Sequence, residues 1–136
     1  MIGVLILSHG TTGAALLATA AQVMGAAPPH AAALGVARDA DPEAVLSQAR
    51  ELLVQLDDGC GVLVLTDMFG ATPGNIAGRL LADGRIEGVA GLSLPMLVRA
   101  LSGREGTLAA TVQRALSGGA EGVLYMNRDS CCDAKR

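Results

Sequence analysis

Two short, unbroken runs of branched apolar residues constrain this chain more than any other feature. Ile2-Gly3-Val4-Leu5-Ile6-Leu7 and Gly61-Val62-Leu63-Val64-Leu65 offer no polar side chain to turn toward water. A strand with one wet face alternates apolar and polar residues, whereas a continuous run of this length belongs to a strand covered on both faces. Such strands are typical of parallel sheets, whose connections cross over through helices packed on the sheet.

The segments between these runs supply the helices. Leu16, Leu17, Ala20, Ala21 and Met24 recur at helical spacing within Thr12 to Met24, and Gly25 with Pro28-Pro29 ends that segment. Ala31 to Val36 is a weaker strand. Asp41 and Pro42 read as the cap and first turn of a second helix, with Val45, Leu46, Ala49, Leu52, Leu53 and Leu56 on its apolar face. After the second apolar run comes a loop, Asp67 to Thr72. Thr72-Pro73 then reads as the cap and first turn of a third helix through Ile76, Ala77, Leu80 and Leu81. Ile86 to Leu92 reads as a fourth strand, Leu94 to Leu101 and Glu105 to Leu116 as helices, and Gly122 to Met126 as a short fifth strand. The tail from Asn127 is polar and expected to fray. Alternating strands and helices predict an α/β fold, an open parallel sheet with helices on both faces. A length of 136 residues suits a single domain, residues 1–136.

Composition removes several function classes. Phe69 and Tyr125 are the only aromatics and Trp is absent, so there is no stacking surface for bases or sugars. The formal net charge is −3 and no Lys or Arg precedes Arg38, which speaks against a nucleic-acid partner. The apolar start is too short for a signal peptide, and no run reaches the roughly 18 to 20 apolar residues of a membrane span. Cys60, Cys131 and Cys132 form neither a disulfide framework nor a zinc pattern, and a reduced, cytoplasmic setting is expected. Two distant histidines make no metal site. Neither a phosphate-binding Gly-x-x-x-x-Gly-Lys loop nor a dinucleotide-binding Gly-x-Gly-x-x-Gly is present, so no nucleotide cofactor is expected. Gly-x-Ser-x-Gly is also absent.

What remains is a pair of ionisable residues in equivalent places. His9 follows the first strand and precedes a helix; Asp67 follows the third strand and precedes another. Ligands of open α/β sheets gather outside the carboxyl ends of the strands. With the common order 2-1-3-4, His9 and Asp67 face each other across that crevice. A neutral imidazole attacks phosphorus through one ring nitrogen while a carboxylate holds the N–H of the other and fixes the tautomer. The backbone N–H groups of Gly10-Thr11-Thr12-Gly13, with the two Thr hydroxyls, are candidate donors to phosphate oxygens at a helix start, and the loop Gly70-Ala71-Thr72 is a second set. No Lys or Arg lies near either loop in sequence. This predicts a site without a fixed cation, suited to a carrier that must release its group. Each residue has a plainer reading. His9 and Asp67 taken singly are cap, turn or packing residues, and the glycines are punctuation. His30 reads as solvated surface. Met68 and Phe69 read either as core or as a docking surface.

Three segments resemble the IIA component of the mannose-type sugar phosphotransferase system. Ile6-Leu7-Ser8-His9-Gly10 matches the stretch where that family places its phosphorylated histidine. Thr66-Asp67-Met68-Phe69-Gly70-Ala71-Thr72-Pro73-Gly74-Asn75 is similar to its Asp-Leu-Phe-Gly-Gly-Thr-Pro-x-Asn loop, with Ala71 in place of the second Gly. Gly91-Leu92-Ser93-Leu94-Pro95-Met96-Leu97 is similar to Gly-x-Asn-Leu-Pro-Met-Leu, with Ser93 in place of Asn. The resemblance implies that His9 accepts a phosphoryl group from phosphorylated HPr and donates it to a IIB component. It makes Asp67 the partner of His9 and the loop around Thr72 a phosphate contact. It also implies a homodimer in which the fifth strand, Gly122 to Met126, is antiparallel and exchanged between subunits. The chain ends at Arg136, so a free-standing IIA is expected, serving a separate permease or acting as a regulator.

Other readings separate on single features. A regulatory module would be phosphorylated and stall, whereas a carrier passes the group on. A phosphoryl donor to dihydroxyacetone kinase tends to carry Asp-Leu-Gly-Ser where this chain has Asp67-Met68-Phe69-Gly70. A flavodoxin-like domain would need aromatics to sandwich its flavin.

Overall fold

A computed structural model of the chain describes residues 1–127. The two apolar runs become the central strands, β1 (Gly3–His9) and β3 (Val62–Thr66). They are joined by α1 (Thr12–Met24), β2 (Ala31–Val36) and α2 (Pro42–Leu56). The chain continues through α3 (Thr72–Gly78), β4 (Ile86–Ala90), α4 (Leu94–Leu101) and α5 (Leu108–Glu121). The four strands are parallel, in the order β2-β1-β3-β4.

Both faces of the central strands are covered, as the apolar runs require. Val4, Ile6, Leu63 and Leu65 point into a core shared with Ala20 of α1, Met96, Leu97 and Ala100 of α4, and Ala115 of α5. Leu5, Leu7, Val62 and Val64 point the other way, against Val45, Leu46, Ala49 and Leu53 of α2 and Ile76 and Ala77 of α3. Each fully buried aliphatic side chain contributes roughly 1.5 to 3 kcal/mol. The strand period of two thus divides one apolar run between two cores.

Helix starts follow local chemistry. Asp41 caps α2 by accepting the Glu43 N–H at 3.1 Å, with Pro42 in the first turn. Ser93 caps α4 by accepting the Met96 N–H at 3.3 Å. The family position where Asn is usual therefore has a structural task that a hydroxyl performs. The helix expected over Glu105 to Leu116 begins later and ends later. Thr107 caps it through the Ala110 N–H at 3.1 Å, and it runs through Gly118 and Gly119 to Glu121. Those glycines allow contact rather than a break: a Cβ on Gly118 would stand 2.9 Å from the Arg99 Cβ, and one on Gly119 2.7 Å from the Met96 methyl carbon. The fourth strand stops at Ala90, because Gly91 adopts φ 91° and turns the chain, while the N–H groups of Gly91 and Leu92 both donate to the Thr66 carbonyl at 3.0 Å.

Gly122 to Met126, expected to form a fifth strand, are turn and irregular chain in this single copy and pair with no strand among the described residues. Val123, Leu124, Tyr125 and Met126 are exposed. Cys131, Cys132 and most of the polar tail lie outside the described residues. Cys60 is an exposed free thiol.

One buried charge ties the lower rim of the sheet together. Arg104 is 3% exposed. Its guanidinium donates to the carbonyls of Ile2 and His30, both at 3.2 Å, and its Nε to Leu101 at 3.4 Å. Burial pushes this guanidinium below its ordinary value, opposed by the nearby Glu105 charge. His30 has an exposed side chain, as expected, but its backbone takes φ 49° and its carbonyl also accepts the Val4 N–H at 2.9 Å.

Candidate functional site

The site lies at the carboxyl ends of β1 and β3. The last β1–β3 pair is Leu7 with Thr66, after which β3 turns away. The side chain of Asp67 then prolongs the ladder: its Oδ2 accepts the His9 backbone N–H at 3.1 Å. The same oxygen lies 3.0 Å from His9 Nδ1. Both donors to Oδ2 therefore come from one residue, which fixes the ring and its backbone together. The His9 side chain is 51% exposed and that of Asp67 only 17%. With Nδ1 held, Nε2 is the nitrogen free for chemistry. Burial would raise the Asp67 carboxyl, but the hydrogen bonds from the His9 amide and ring, with the ring's charge, outweigh it and hold the group below its ordinary value.

His9 opens onto a pocket of about 570 Å³, shared with Gly10, Thr72 and Pro73. The opposite wall comes from the end of β2 and the turn after it, including Val36, Ala37 and Arg38. Pairing places Val36 directly beside His9, and the Gly10 N–H donates to the Val36 carbonyl at 3.0 Å. Gly10 takes φ 46°, which lets the chain leave the strand for α1.

A family model described as "PTS system fructose IIA component" matches residues 3–116. The mannose-specific EIIAB component of Escherichia coli K12 is 31% identical over 125 residues, covering 90% of this chain and 38% of that protein. The chain thus spans little more than a third of the length of this curated relative. Among solved structures, EIIA from Streptococcus agalactiae superposes with a TM-score of 0.84 at 23% identity, over 95% of this chain and 100% of the other. The mannose/sorbose-specific IIA subunit from Enterococcus faecalis gives 0.82 at 21%, over 95% and 97%.

This chain belongs to the mannose-type EIIA family of the sugar phosphotransferase system.

Within this EIIA fold, His9, Gly10 and Thr72 share one pocket, and Asp67 stands behind the ring. Thr11 and Thr12 sit exposed at the start of α1, outside the pocket wall. The expected cradle of four backbone N–H groups is half committed elsewhere. Gly10 donates to Val36, and Gly13 donates to the buried Ser8 hydroxyl at 2.8 Å. Ser8 thereby caps α1 from within the strand, a task that its place in an apolar run concealed. Among the described residues, the N–H groups of Thr11 and Thr12 find no acceptor, and neither does the Thr72 hydroxyl. Thr72 is the first residue of α3 rather than its cap; Ala71 is the cap, at φ −94°. Any residue adopts that φ, so Ala replaces the family's second Gly without strain, while Gly70 carries the turn at φ 86°.

The expectation of a site without a cation is corrected. Arg38 lies 29 residues along the chain from His9, yet β1–β2 pairing brings it to the same pocket. Met68 and Phe69 are 60% and 88% exposed, which removes the core reading for both.

Proposed function

We propose that this EIIA chain is a phosphohistidine carrier of the phosphoenolpyruvate-dependent system, accepting a phosphoryl group on His9 from phosphorylated HPr and donating it to a IIB component. The observation that carries this reading is the 3.0 Å contact between His9 Nδ1 and Asp67, with the rest of the ring open to the pocket. Asp67 accepts a hydrogen bond from Nδ1–H, so the lone pair resides on Nε2 and faces the incoming phosphorus. As the bond forms, positive charge grows on the ring and the half-buried carboxylate stabilises it. Asp67 is thus an orienting group and His9 the nucleophile. Gly10 leaves room beside the ring, and the Thr11 and Thr12 N–H groups with the Thr72 hydroxyl supply hydrogen bonds to phosphate oxygens. The cycle runs in the cytoplasm, where both partners meet the protein. Among the described residues, no helix is long and apolar enough to cross a membrane.

The exchanged-strand homodimer belongs to the same reading. The outer edge of β4 takes no parallel strand among the described residues, and an apolar groove beside it is lined by Phe69, Leu81 and Gly88. Residues Val123 to Met126 of a second copy supply the apolar strand that fits it, and sedimentation of the chain decides its state.

The experiment is incubation with phosphoenolpyruvate, enzyme I and HPr, followed by mass mapping of acid-labile phosphate. Label on His9 is expected, and H9A should take none while keeping its unfolding midpoint. Normal labelling of H9A would reassign the acceptor. A second reading rests on the exposed Met68 and Phe69 beside Asp67. There, phosphorylation alters docking of a regulatory partner. Adding a IIB component separates the two, since a carrier loses its label to IIB and a regulator keeps it.

A further inference from the structure

Arg38 stands out among the cations of the described residues. Arg79 is paired with Glu43, Arg85 with Asp57 and Arg99 with Glu121. Arg104 is buried on carbonyls, and Arg114 donates to the Arg99 carbonyl at 3.2 Å. Among the described residues, only Arg38 and Arg50 form neither an ion pair nor a hydrogen bond through the side chain, and Arg50 lies on α2, outside the wall of the His9 pocket. Arg38 is flanked by Asp39 and Asp41, yet neither carboxylate engages it, and Asp41 Oδ1 is occupied in capping α2. The turn closed by the Ala40 N–H on the Ala37 carbonyl, at 3.1 Å, sets Arg38 at its corner. The Gly10 bond to Val36 anchors that turn to the strand carrying His9.

We propose that Arg38 is the counter-charge for the phosphoryl group held on His9, a contact that deepens the carrier reading and rests on it. In transfer, the Nε2 lone pair forms a bond to phosphorus while the donor's bond to phosphorus breaks, and the donor atom keeps that electron pair. The dianionic group then stands in a pocket whose one guanidinium has no competing partner. A guanidinium offers paired N–H donors matched to phosphate oxygens, and charge-assisted bonds of this kind are stronger than neutral ones. Arg38 is exposed, so the contact is partly screened, which sets its expected size.

The test equilibrates phosphorylated and unphosphorylated HPr, at known ratio, with the wild-type chain, R38Q, R38K and R50Q. The fraction of each chain carrying acid-labile phosphate is then measured at low and high salt. R38Q should lower the equilibrium constant for His9 phosphorylation roughly fivefold. R38K should recover part of the loss, and R50Q, with the same change in net charge, should match wild type. High salt should shrink the gap between wild type and R38Q. Equal constants for wild type and R38Q would overturn the role of Arg38 alone. Absence of label on wild-type His9 would overturn the carrier reading and this contact with it. The exposed position of Arg38 leaves the fold undisturbed, and matching unfolding midpoints for R38Q and R50Q verify this.

Discussion

Gly35 of β2 lies against the carbonyl of Gly10 so closely that a Cβ on Gly35 would stand 2.1 Å from that oxygen. Gly10 is the residue after His9, so the contact sets how near β2 and the turn bearing Arg38 come to the His9 ring. Bare backbone at Gly35 allows this close approach.

Substituting Gly35 with Ala should therefore affect both fold and site. Overpacking of this kind costs about 1 to 3 kcal/mol. The G35A chain should show a lowered denaturation midpoint and slower labelling by phosphorylated HPr. Unchanged stability would mean that the two loops yield easily.

Replacing Asp67 with Asn keeps the shape but removes the charge. Phosphorylation should slow by roughly a hundredfold or more, by analogy with orienting carboxylates elsewhere. Acid stability supplies a second readout. A carboxyl held below its ordinary value stabilises the fold above its unfolded pKa, and that contribution is lost as pH falls through the folded value. As pH falls through the ordinary carboxylate range and below it, wild type should lose stability more steeply than D67N. Denaturant midpoints across that range test the sign.

Arg104 tests the lower rim. R104M preserves bulk but removes a donor from the carbonyls of Ile2, Leu101 and His30, of which His30 keeps the Val4 N–H. Each buried group left unpaired costs about 1 to 3 kcal/mol, and removing the buried charge offsets part of that. A net loss of about 2 kcal/mol is expected in urea denaturation. Exchange of the Val4 amide, which is bonded to His30, should speed up more than that of the Leu63 amide.

How far these features were legible in the sequence depended on whether their cause was local. The β1 and β3 runs announce a strand covered on both faces, and α1, β2, α2 and α4 fall at their expected residues because periodicity and caps lie within each segment. The start of α5 was masked because a charged, loop-like stretch precedes the Thr107 cap, and its end because glycines that serve helix contact look like breakers. His9 and Asp67 were readable as equivalent strand ends once a strand order was assumed. Arg38 was not, since its approach depends on β1–β2 pairing between distant segments. Ser8 was hidden too, because a hydroxyl that caps the next helix from inside a strand carries no positional signature. The fifth strand had the right composition, but a strand forms only against an edge, and Gly122 to Met126 meet none among the described residues.

The shared oxygen of Asp67 has one more consequence. A single acceptor holds both the ring and the main chain of His9, which favours one orientation of the imidazole. On the carrier reading proposed above, supplier and recipient would come to the same doorway in turn, each blocking the other while it is there. Surplus empty donor should then slow delivery, a throttle set by traffic rather than by a separate control site.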